Sequence, residues 1–338
     1  MSRASASAVG GGANAPCAEA LEEVVRALRA ADGTVAEAAI SRLQDLARGA
    51  ADLNTDEGRS CKARLLLEAS RAPTCGIALS AVFSSIVASS LTLPGELADA
   101  ISKAPPECRA VMIRTLPFAH DADMALVRVV EGLAQHEGAI EHRLTAWQGL
   151  GTLCYHARKK ARSDVVAHVE GVLRDKLSGL KLPEERVPLL KAAGNAGCQA
   201  CLPFVEAAAS DKSTEIRTAA LGALRFVDSK AAVTRMCKAA TSDHDAAVRQ
   251  VAGWSLRNGV SFEVQRVTCL AKAAAQDPSP VVRSGAVGSL GVLAGTLARA
   301  RSALIFLTDA SHPDDTRTHA REALASHADV LFADAGRP

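Results

Sequence analysis

Aromatic side chains are scarce in this chain: 3% of 338 residues, with one Tyr and two Trp. That scarcity argues against a β-sandwich, whose strands draw on aromatic and β-branched residues. It also leaves almost no stacking platforms for nucleic acid. Charge of one sign is lacking as well. The formal net charge is +2, so the chain as a whole has no bias toward nucleic acid or an anionic membrane. Residues 1–16 (MSRASASAVGGGANAP) have no apolar core of the kind a secretory leader needs. They read as a disordered lead-in. The longest uncharged stretch, 72–95, has the length of a membrane span. It is interrupted by Ser80, Ser84, Ser85, Ser89 and Ser90, while Leu79, Val82, Phe83 and Ile86 recur at helical spacing. A buried helix ended by Pro94-Gly95 is expected there, and no transmembrane segment.

Catalytic signatures are missing too. There is no phosphate-binding GxxxxGK loop followed by Ser or Thr, no GxSxG and no HExxH. A protein without catalysis, cofactor or metal is therefore expected. The apolar fraction is 48%, mostly Ala, Leu and Val. Small and unbranched side chains suit closely packed helices.

A repeat organises the C-terminal half. Arg217, Arg249, Arg283 and Arg317 are separated by 32, 34 and 34 residues. Ala220, Ala252, Ala286 and Ala320 follow them by three positions, and Leu224, Leu256, Leu290 and Leu324 by seven. These positions share one helix face, with alanine at tight crossings and leucine between layers. Asp211, Asp243 and Asp277 stand six before the first three arginines, and Ser311 takes that place in the fourth unit. Ser213, Asp245, Ser279 and Pro313 stand four before the arginines as helix starters. An apolar helical stretch precedes each (201–209, 230–240, 262–275, 299–307). Each unit is thus a helix, a turn and a second helix, and only stacked pairs bury their apolar faces. The pattern resembles HEAT repeats, and that resemblance implies pairing between the Asp and Arg columns of adjacent layers. The fold class expected is all-α, a two-layered right-handed α-α superhelix of HEAT-like type.

The first half reads as less regular helices near 17–30, 34–48, 61–71, 76–90, 95–103, 106–115, 121–134, 140–158, 164–180 and 184–194. The expected organisation is a leader over 1–16 and a single solenoid over 17–338. Its helix pairs are irregular over 17–195 and regular over 196–332. Three segments occur in order: Leu116-Pro117-Phe118, the run Gly149 to Tyr155, and Leu190-Lys191-Ala192-Ala193-Gly194-Asn195-Ala196-Gly197. Together they resemble landmarks of the helical superhelix of the vitellogenin-like large lipid transfer proteins. The two glycines around Asn195-Ala196 suit a helix stop with positive φ. The resemblance implies a module that supports lipid transport or lipoprotein assembly by packing on a lipid-binding β-sheet domain or a partner. It covers roughly 20–330 and lacks the family's β-barrel and lipid-lining sheets. The alternative is a general scaffold gripping a protein partner on a concave face. A missing leader points to the cytoplasm, and the resemblance to the secretory lumen or exterior.

Three groups of side chains stand out besides the ladder. The basic run Arg158, Lys159, Lys160 and Arg162 ends a helix, where cations are favoured. It is a solvated terminus or a contact for an acidic partner or lipid headgroup. Cys198 and Cys201 form a CxxC turn without a second metal-ligating pair, so a local disulfide is the alternative to free thiols. The remaining cysteines are scattered and odd in total, and most of the nine are expected to be reduced, small core residues. His136-Glu137 stands alone, without the successive His-Glu pairs a di-iron centre needs.

Overall fold

The computed structural model describes residues 15–29, 37–51, 55–89, 93–119, 122–180, 182–259 and 261–326. The expected leader lies outside them up to residue 14. The described residues are almost entirely helical and contain no strand. They divide into two compact units, one ending at Val166 and one beginning at Ala167.

The first unit holds α1 (Ala15–Arg29), α2 (Glu37–Ala51), α3 (Asp56–Ser70), α4 (Ile77–Ala88), α5 (Pro94–Lys103), α6 (Pro106–Thr115), α7 (Met124–His136) and α8 (Ile140–Lys159). Odd helices stack on odd ones and even on even, so two layers form. Local chemistry sets the boundaries. Pro94 and Pro106 open their helices, where the missing N–H costs nothing. Asp123 accepts from the Leu126 amide at 2.7 Å and starts α7. Thr55 caps the Gly58 amide, which starts α3 five residues earlier than the apolar pattern over 61–71 suggests. Within the stretch 72–95, α4 buries Leu79, Val82, Phe83 and Ile86. No helix among the described residues is long and apolar enough to cross a membrane.

The second unit holds most of α9 (Ser163–Ser178), then α10 (Arg186–Ala196), α11 (Leu202–Ala208), α12 (Thr214–Ala223), α13 (Lys230–Ser242), α14 (Ala246–Leu256), α15 (Glu263–Gln276), α16 (Pro280–Ala294), α17 (Ala298–Leu307) and α18 (Asp314–Ala325). One layer stacks α13, α15 and α17; the other stacks α10, α12, α14, α16 and α18. Leu224, Leu256 and Leu290 are fully buried between layers, as are Ala220, Ala252 and Ala320 at the crossings. Burying each such leucine contributes about 1.5–3 kcal/mol. Leu324, in the last described helix, is half-buried. Asp245 caps the Ala247 amide at 2.8 Å and Ser213 the Ile216 amide at 3.5 Å. Ser279 makes no cap with its side chain; Pro280 starts α16 instead, and the Ser279 amide donates to Asp277.

Two glycines at the end of α10 have separate jobs. Only Gly197 takes positive φ (60°), ending the helix while the Cys198 amide donates to the Ala193 carbonyl. Gly194 is helical: a Cβ there would lie 2.5 Å from Ala223 Cα, so α12 packs directly on its backbone.

The cysteines correct the expectation of reduced thiols. Four bridges form: Cys17–Cys61, Cys75–Cys108, Cys198–Cys201 and Cys237–Cys269. Scattered positions become neighbours because about one repeat of chain returns to the same place in the next layer. Separations of 44, 33 and 32 residues match that return for three of the bridges. The ninth cysteine, Cys154, is buried in α8.

Candidate functional site

The repeat arginines form a ladder with the acids of the following layer. Arg217 places Nε and Nη2 at 3.1 Å from the two carboxylate oxygens of Asp243. Arg249 does the same to Asp277 at 2.7 and 3.0 Å. Arg283 reaches Asp315 at 3.3 and 2.6 Å. In each, Nη1 turns back onto two carbonyls at the start of its own turn: Asp211 and Lys212, Asp243 and His244, Asp277 and Pro278. One planar fork therefore ties a turn to its own helix and to the next layer. Asp211 lies at the top of the ladder, 2.9 Å from Arg186. Arg317, at the other end, pairs with Asp314 of its own helix. Where Ser311 replaces the aspartate of the motif, Asp315 supplies the carboxylate four residues later.

The same device occurs in the first unit, where the sequence pattern concealed it. Arg143 donates from Nη1 to the carbonyls of Glu137 and Gly138. Ala146 and Leu150, three and seven positions on, are buried as in the later repeats. Glu137 receives Arg109 at 3.0 Å and lies 3.5 Å from His142 Nδ1. Burial raises the Glu137 pKa, but hydrogen bonds from Arg109 and His142 outweigh it and hold the carboxyl below its usual range. A glutamate in the aspartate column hid this repeat; the arginine, alanine and leucine spacing was the signal available.

The basic run closes α8. Arg158, Lys159 and Lys160 are exposed, and Arg162 is half-buried. Lys159 Nζ sits 4.7 Å above the Tyr155 ring. Burial, then the charges of Lys159 and Lys160, lower the pKa of His156. Cys198 and Cys201 bond to each other in the turn after α10.

The ladder's inner rungs are largely buried, and its arginines are saturated by their own partners. The outward side of the even-numbered helices in the second unit differs. Phe226, Trp254 and Val292 are exposed on three successive layers, by 38%, 39% and 57%. Arg225 and Arg257 both lie over the indole, their Cζ atoms 5.7 and 5.0 Å from its ring centroid. Burial alone pushes the Arg225 pKa below the ordinary arginine value. The cluster is not legible in the sequence because it joins the ends of two successive repeats.

A family model described as HEAT repeats matches residues 172–257. No curated protein matches the chain. Among solved structures, similarity extends to an engineered protein (16% identity, TM-score 0.41, covering 94% of this chain and 92% of that one). A designed armadillo repeat protein in complex with the peptide (KR)4 is similar at 17% identity and TM-score 0.40, covering 59% and 98%. Kap121p bound to Nup53p is similar at 15% and 0.47, covering 91% of this chain and 41% of Kap121p.

These findings overturn the resemblance to lipid transfer proteins and the lipid-transport function drawn from it. The matching HEAT-repeat model includes 190–197, the segment that carried that resemblance most specifically. Repeat packing explains the same residues: Gly194 admits α12, Gly197 ends α10, and Asn195 Oδ1 accepts from Arg225 at 2.5 Å. A lipid-binding β-sheet partner loses its basis with the family.

Proposed function

We propose that this chain is a non-catalytic protein-binding scaffold that holds a polypeptide partner on the outward face of α12, α14 and α16. The observation that supports this reading is the succession of exposed Phe226, Trp254 and Val292 on layers whose inward columns are fully packed. Single exposed apolar residues are ordinary on any surface; apolar residues that stay within about one helical turn of each other on the exposed side of adjacent layers offer a continuous docking face. Aromatic and arginine side chains are also the types that anchor interfaces.

The test compares two faces of the folded full chain. Trp254→Asp and Val292→Asp alter the proposed face, and Thr268→Asp alters the exposed side of α15. Proteins retained by affinity capture are quantified for each variant. A specific partner lost with both face variants and kept by Thr268→Asp supports the scaffold. A partner set unchanged by the face variants refutes it.

A further inference from the structure

Arg225 and Arg257 stand in one repeat column, eight positions after the ladder arginines Arg217 and Arg249. Their circumstances are opposite to those of the ladder. Arg217 and Arg249 each hold a carboxylate of the next layer. Arg225 donates only to neutral acceptors, the Gly222 carbonyl at 2.9 Å and the Asn195 side-chain oxygen. Its guanidinium also lies 4.7 Å from the Phe226 ring centroid. No acid offsets the effect of its burial. The Arg257 guanidinium also lies over the Trp254 ring, 5.0 Å from its centroid, and forms no ion pair with a carboxylate among the described residues. Two guanidiniums thus lie within about 6 Å of one half-exposed indole, with no resident counter-charge.

The surroundings leave room for a chain to lie there. Trp254 stands five positions after its ladder arginine, and the equivalent positions in the flanking layers are Gly222 and Gly288. A Cβ added at Gly288 would meet nothing within 4 Å. The indole therefore rises between layers that carry no side chain at its level.

We infer that this seat binds an acidic peptide segment, its carboxylates taken by Arg225 and Arg257 and its apolar side chains laid on Trp254, Phe226 and Val292. The inference rests on the scaffold reading and adds the chemistry of the partner. Arginine forks match carboxylates in two-point geometry and stack on aromatic faces at the same time. A cationic segment would meet two like charges at this point. Helix axes in adjacent layers lie about 8–10 Å apart. An extended peptide advances about 3.3 Å per residue, so about five to six residues span the two spacings between the three layers.

The reporter is built in, because Trp147 is buried and Trp254 is exposed. The full chain is titrated with synthetic peptides of about eight residues, long enough for three layers. One alternates Glu with Leu, the others replace Glu with Gln, Lys or phosphoserine. Tryptophan emission and calorimetry are read together, and circular dichroism confirms that each variant folds. The Glu-Leu peptide is expected to bind saturably and more weakly as salt rises. Arg257→Ala should weaken it about tenfold, the loss of one charge-assisted contact, and Arg257→Glu should abolish it. Arg225→Lys should weaken it while preserving the fold. Equal or tighter binding of the Gln-Leu or Lys-Leu peptide overturns the acidic assignment and leaves the scaffold standing. Binding of the phosphoserine peptide alone overturns the carboxylate assignment. If no peptide binds while the face variants still lose a captured partner, the inference fails by itself. If capture ignores the face variants, the scaffold reading fails with it.

Discussion

Replacing Asp277 with asparagine removes one charge from the most enclosed rung of the ladder. Asp277 and Arg249 are each 8% exposed, and Arg249 grips both carboxylate oxygens. Breaking a buried ion pair by removing one partner costs about 3–5 kcal/mol, because the other charge stays desolvated. Asparagine keeps one acceptor oxygen and the other two carbonyl contacts of Arg249 survive, so about 2–3 kcal/mol is expected. Arg249→Met loses the carbonyl contacts as well and should cost about 3–5 kcal/mol. The double variant should show a coupling of about 1–3 kcal/mol, since the two changes remove one interaction. Arg317→Ala is the control. Its acid, Asp314, is largely exposed, and such pairs contribute below about 1 kcal/mol. Urea unfolding monitored by circular dichroism gives all four values. The reasoning fails if Asp277→Asn costs no more than Arg317→Ala, or if the coupling is near zero.

Acid should weaken the same ladder. The hydrogen bond from Arg283 holds the Asp315 carboxyl below its usual range, against the opposing effect of burial. A depressed folded pKa gives stability that is present above the unfolded value of about 4 and lost as pH falls through the folded one. Melting temperature should therefore decline below about pH 4, and Asp315→Asn should flatten that decline. Cys237→Ser opens a bridge closing 32 residues between α13 and α15; loop-closure entropy predicts a loss of about 3–4 kcal/mol in denaturant unfolding. Gly194→Ala forces a Cβ to 2.5 Å from Ala223 Cα and should destabilise by about 1–3 kcal/mol, with lowered amide protection in α10 and α12. Ala161 has φ 55° after α8, so Ala161→Gly should stabilise by about 1 kcal/mol, read as a raised melting temperature.

The sequence by itself determined the helices and their repeat. Helix ends are written in adjacent residues, such as Asp123 before α7 and Pro280 at the start of α16. Inward faces follow from a period of 3.6, which is why Leu224, Leu256 and Leu290 are buried where their spacing places them. Tertiary structure decided everything that depends on which residues meet across layers. It moved the last ladder carboxylate from position 311 to Asp315, and it drew Glu137 and Arg143 into a repeat that a one-residue change had disguised. It joined cysteines 32 to 44 residues apart. It also gathered Arg225, Phe226, Trp254 and Arg257 from the ends of two successive repeats onto one exposed patch. The physical reason is common to all four. Capping and periodicity act within a few residues of chain, whereas layer stacking brings together groups about thirty residues apart, at distances that spacing alone does not specify.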